Sequence, residues 1–161
     1  MPKPVPEPAQ NYKDLRGEAL NPNLWRKLGF AATPMNPHVW GALMEIGTPQ
    51  NVVTLVCLLD GTVSLYFGNG GGITGGGKHE AIRMKAEEFI QSTETFLKKF
   101  NPTKNFPVPD VDRVRFYALT YDGILTAQDN KNMADEKHPF FPLFRSGHEV
   151  IAAVRAYETG A

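Results

Sequence analysis

Cysteine is almost missing from this chain, with Cys57 alone among 161 residues. That excludes an internal disulfide and a zinc cluster built from thiolates. A lone thiol suits a reducing compartment, so a cytoplasmic location is expected. Net charge is missing too, because 17 Lys and Arg face 17 Asp and Glu. A balanced chain sets up no global field to gather nucleic acid or an anionic membrane. No block of five like charges supplies a local one, so neither partner is expected. Long apolar runs are also lacking. Nothing approaches the ~20 residues of a membrane span, and no apolar signal core opens the chain.

The usual signatures of chemistry are thin. Ser64, Ser92 and Ser146 lack the glycine frame of a nucleophile elbow. Cys57 lies in an apolar run, where an inert thiol is expected. Asp129, Asp135, Glu136 and His138 offer oxygen and nitrogen ligands. They lack the sixth-position glycine of a calcium loop, and a solvated loop is the simpler expectation. His79 and Glu80 are adjacent helix positions, which do not face one another. No catalytic residue, no metal and no cofactor are assigned.

What is present begins with proline. Residues 1–10 alternate it with other residues, which favours an extended, solvated tail. Residues 11–35 read as an arm of short helical pieces. Asn21-Pro22 signals a helix start, and Leu24, Trp25 and Leu28 share one face. Trp25 and Phe30 could dock on the body or on another subunit. Residues 36–158 read as one domain. Asn36-Pro37 repeats the start signal, and Val39, Trp40, Leu43 and Met44 follow at helical spacing. A short helix is expected over 37–46, stopped at Gly47.

Residues 51–59 form an apolar, β-branched run of strand length. Apolar side chains on both parities require both sheet faces to be covered. More helices or a second subunit could supply the outer cover. Asp60-Gly61 predicts a hairpin turn, and 62–67 the returning strand. A helix of about 20 residues follows, from Lys78 or His79 to Phe100, with Ile82, Ala86, Phe89, Ile90, Thr93, Phe96, Leu97 and Phe100 along one stripe. The three prolines in 101–110 predict a loop. A second hairpin turns at Asp122-Gly123, and a last helix carries Val150, Ile151, Val154 and Tyr157. The sum is an α+β fold: an antiparallel sheet of two hairpins, a long central helix, and N- and C-terminal helices.

Two stretches invite functional readings. Gly72 to Lys78 matches the opening of a phosphate loop, so Gly75, Gly76, Gly77, Lys78 and His79 are candidate anion ligands. His79 stands where that motif needs a hydroxyl for magnesium, and a hairpin precedes it instead of a parallel strand. A glycine linker between sheet edge and helix is the competing expectation. Phe140, Phe141, Leu143 and Phe144 form an aromatic cluster. It either fills the core or, with Trp25, anchors an interface.

The order ALMEIG, NVVTLVCLL, Asp60-Gly61, TVSLYF, glycine loop and long helix resembles the roadblock/dynein light chain family, within the profilin-like and longin-like group. The resemblance covers 36–158. It implies small, non-enzymatic modules that dimerise through helix and sheet, with three strands after the long helix where the residues show two. The expected function is a non-catalytic interaction or scaffold module, homodimeric and with a protein partner. The alternative is a sensor or binder of a small anionic ligand using the loop 68–78.

Overall fold

The computed structural model describes residues 3–129 and 132–158. Two short helices, α1 (Gln10–Ala19) and α2 (Leu24–Leu28), form the arm. A three-strand meander follows: β1 (Val39–Gly47), β2 (Val52–Leu58) and β3 (Val63–Phe67). A two-residue strand β4 (Gly72–Ile73) leads through a 3₁₀ turn at Gly76–Lys78 into α3 (Glu80–Phe96). Then come β5 (Asn101–Pro102), β6 (Val114–Thr120), β7 (Gly123–Gln128) and α4 (Phe141–Glu158). The seven strands form one antiparallel sheet in the order β4-β3-β2-β1-β6-β7-β5. The α+β class and the long central helix are as expected. Two hairpins become a meander plus a hairpin, flanked by two-residue edge strands. One of these, β5, opens the stretch expected to be loop throughout 101–110.

The helix expected over 37–46 is strand β1, at the centre of the sheet. Its pairing with β6 shifts register between Val39 and Gly41. Such an irregularity absorbs one residue and turns the strand over once. Val39 and Ala42 therefore share one face, and Trp40 and Leu43 the other. Those three-residue spacings imitate a helix. Gly41 permits the tight fit, since a β-carbon there would lie 2.7 Å from Leu58 Cδ2.

The inner face carries the main core. Met44, Leu55, Cys57, Leu65, Phe116 and Ala118 pack beneath α3 and α4. The two helices run antiparallel, which the pairings His79–Tyr157, Lys85–Glu149 and Phe96–Phe140 mark along their length. Gly147 lets α4 settle closely on β1 and α3, because a β-carbon there would stand 2.6 Å from Met44 Sδ and 3.1 Å from Phe89 Cε1. No helix among the described residues is long and apolar enough to cross a membrane.

The outer face is covered by the chain itself. Ala19, Leu20, Leu24, Trp25 and Phe30 of the arm, with Phe106, lie on Trp40, Leu43, Val56, Leu58, Tyr117 and Leu119. The need for a second subunit over the doubly apolar strand therefore falls away. Within the 1–10 tail, Met1 and Pro2 lie outside the described residues. Lys3 C=O accepts from Val111 N–H at 2.8 Å, and Ala9 N–H donates to Gly68 C=O at 2.7 Å.

Candidate functional site

The glycine stretch is a docked strap. Gly70 and Gly75 take positive φ angles of 102° and 77°, which L side chains rarely adopt. Asn11 Nδ2 donates to Gly70 C=O at 2.8 Å. Gly77 is pressed on the β2–β3 turn so closely that a β-carbon would stand 1.6 Å from Gly61 O. Its own carbonyl accepts from Arg83 Nη1 at 2.9 Å. An anion approaching Gly77 from the turn side would meet the Gly61 carbonyl. Gly75, Gly76, Gly77, Lys78 and His79 thus form one continuous turn. The His79 ring lies against Tyr157, tilted by 32° with centroids 3.5 Å apart. Glu80 already sets a carboxylate in the first turn of α3, where the helix dipole favours negative charge.

The aromatic candidates separate. Trp25 docks edge-on against Tyr121, centroids 5.1 Å apart. Phe140 sits among Phe96, Phe100 and Phe116 and fills one end of the core. Phe144 is half-buried against that core and lies beside His148. Phe141 begins α4, half-buried, ahead of Pro142.

The polar loop 129–138 includes Asn130 and Lys131, which lie outside the described residues. Around them, His138 is buried and meets Asp129 Oδ2 at 3.0 Å through Nε2. Its Nδ1 accepts from Phe140 N–H, which places the proton on Nε2. Both ring nitrogens are engaged in holding the loop. Asp135 accepts from Lys137 N–H. Burial pushes the Cys57 thiol far above its ordinary range, which leaves no reactive thiolate.

Two features were not anticipated. One is a polar clamp beneath α1. Glu45 is wholly buried in β1, with Thr54 of β2 and Arg115 of β6 as its cross-strand neighbours. Arg16 of α1 meets it with two parallel bonds, Nε to Oε2 at 2.6 Å and Nη2 to Oε1 at 2.9 Å. Thr54 Oγ1 donates to Oε2 at 2.8 Å. Its proton is then committed, so Tyr12 OH donates to Thr54 Oγ1 at 2.7 Å. Burial, then the Glu45 charge, raises both tyrosines; Tyr117 is pushed up to about 12, and Tyr12 also moves upward. For Arg16 burial acts downward, but the bonds and charge of Glu45 outweigh it and hold the guanidinium charged. The signal was a glutamate inside the apolar run ALMEIG.

The other is a groove of 670 Å³ at the β5–β7 edge. Pro22, Pro102, Phe106, Ile124 and Leu125 give it an apolar lining, with Lys104 and Asp122 as its charged residues. That volume is in the range of small-ligand and side-chain pockets. Phe106 is held edge-on by Tyr117, whose hydroxyl donates to Pro107 C=O at 2.6 Å. Comparison with family models, curated proteins and solved structures gave no match to the chain.

Proposed function

We propose that the chain is a non-catalytic protein-interaction module that takes apolar side chains of a partner into the β5–β7 groove. The observation that carries this is an open, preformed apolar groove beside an aromatic residue fixed from behind. Pro102 has no N–H to offer, so recognition through a continued strand ladder is limited at that residue. Side-chain packing is left as the main source of affinity, with Lys104 and Asp122 selecting for flanking charge. The buried His138 and Cys57 are occupied in structure, which favours binding over catalysis.

A profilin-like, roadblock-like relationship belongs to the same proposal. It is supported by the long α3 and the terminal α4 on one sheet face, and by three strands after α3. The strand at Val39–Gly47 stands where the resemblance has a helix. A cytoplasmic setting is assumed, in keeping with the lone buried thiol.

The test is an NMR titration of the isotopically labelled chain. One arm uses short peptides with an aromatic or aliphatic centre and mixed flanking charges. The other uses inorganic phosphate. Binding should shift amides of 102–106 and 120–125 and weaken in Phe106→Ala. Phosphate shifts confined to 75–80, with no peptide response in the groove, would favour the anion-binding alternative and overturn the proposal.

A further inference from the structure

We propose that the arm is an exchangeable element, and that two copies of this chain associate by laying each arm on the other's sheet. It rests on residues other than the groove's, to whose lining the arm lends Pro22. It starts from how the arm is attached. Residues 31–35 and 37 are exposed, and α2 contributes no buried residue. The hydrogen bonds of this segment are local, between Thr33 and Asn36, apart from one exposed bond from Gln91 Nε2 of α3 to Met35 Sδ at 3.6 Å. On the far side of this hinge, β1 is pinned to the body. Glu94 Oε1 accepts from the N–H groups of His38 and Val39, and Glu94 Oε2 meets His38 Nδ1 at 2.9 Å. A loose hinge thus joins an arm to a firmly anchored strand.

The sheet face under the arm then decides the occupant. It presents a row of apolar side chains, but also Glu45, a wholly buried carboxylate. A cover without a matching cation would leave that charge unpaired in the interior, which is strongly unfavourable. The arm carries the match: a guanidinium that engages both carboxylate oxygens, a tyrosine hydroxyl that reaches Thr54, and Ala19 and Leu20 to fill the apolar row. A second copy of this chain brings all these groups with their spacing intact. The contacts are identical within one chain or between two, so hinge strain and concentration set the balance. A doubly apolar strand is thereby compatible both with a closed monomer and with a dimer.

The test is charge complementation between Arg16→Glu and Glu45→Arg. Each variant alone brings like charges together beneath α1. In an exchanged pair, one arm restores the native Arg16–Glu45 contact and the other forms its reverse. The two are mixed, refolded together and analysed by native mass spectrometry and thermal melting. The expected result is a mixed dimer that melts at least about 5 °C above either variant alone. Because the reversed contact buries an arginine in place of Glu45, the native pair is tested as well, in a chain lacking residues 31–34. Removing that slack hinders closure within one chain, and sedimentation should show a dimer at roughly tens of micromolar. A dimer in either experiment supports exchange. Monomers in both overturn it.

Discussion

The two faces of the sheet are sealed by different means. On the inner face, α3 and α4 bury Ile82, Ala86, Phe89, Ile90, Leu143, Val150, Ile151 and Val154 against the strands. On the outer face, α1 and the residue after it bury Tyr12, Ala19 and Leu20, and α2 buries nothing fully. The inner contact is volume filled by hydrocarbon. The outer one adds a charged, geometrically exacting clamp, Arg16–Glu45–Thr54–Tyr12. Hydrophobic packing stabilises without direction, whereas a buried ion pair adds little net stability but penalises any wrong cover. One face is built to stay closed. The other is built to accept a particular cover.

The largest effects should separate the faces by whether they can be repaired. Phe89→Ala leaves a cavity under α3 and should cost about 3–5 kcal/mol in chemical denaturation. Glu45→Ala strands the Arg16 charge and should cost a similar amount, about 3–5 kcal/mol. The faces differ in the second step. Replacing Arg16 and Glu45 together by methionine should recover most of the loss, whereas no single partner change restores Phe89. A double variant as unstable as Glu45→Ala would erase the distinction.

Next in size is Gly147→Ala on the helix side. Its β-carbon would press on Met44 and Phe89, with an expected loss of about 1–3 kcal/mol. Alkaline titration probes the arm side. Tyr117 ionises at about 12 in the fold against 10.0 in the unfolded chain. A raised folded value favours the protonated, folded state. The stability is fully present below pH 10 and falls as pH rises from there through 12. Denaturation midpoints across that window should decline, and less so in Tyr117→Phe. The smallest effect belongs to Tyr12→Phe, which removes the bond to Thr54 and should cost about 1 kcal/mol.

Sequence legibility followed the same division. The stripe from Ile82 to Phe100 predicts a helix of about 20 residues, and α3 follows it over Glu80–Phe96 before the chain tightens into a 3₁₀ turn at Leu97–Lys99 and extends at Phe100. The Asp60-Gly61 and Asp122-Gly123 turns fall where glycine is needed, with φ angles of 90° and 125° at Gly61 and Gly123. β1 imitates a helix in sequence because its irregularity at Val39–Gly41 places Trp40 and Leu43 on one face three residues apart. The outer cover was open to two readings, since periodicity says that a face is covered but not by which chain. Glu45 was visible as a charge in an apolar run, but its partner lies 29 residues away, beyond any local pattern. The groove was illegible for a related reason. Pro102 and Leu125 meet through the β5–β7 pairing, where a two-residue strand leaves no periodic trace, and Pro22 and Phe106 join them from the arm and from the loop after β5.

The central claim is that the outer face has a releasable cover and the inner face a permanent one. Native-state hydrogen exchange of the full chain measures this directly. Amides of α1 at Gln10–Ala19 should exchange through a local opening, at clearly lower free energy than those of α3 at Glu80–Phe96. Glu45→Gln should weaken α1 protection while leaving the difference between α3 and global unfolding unchanged. Equal protection of α1 and α3, both tracking global unfolding, would contradict the account.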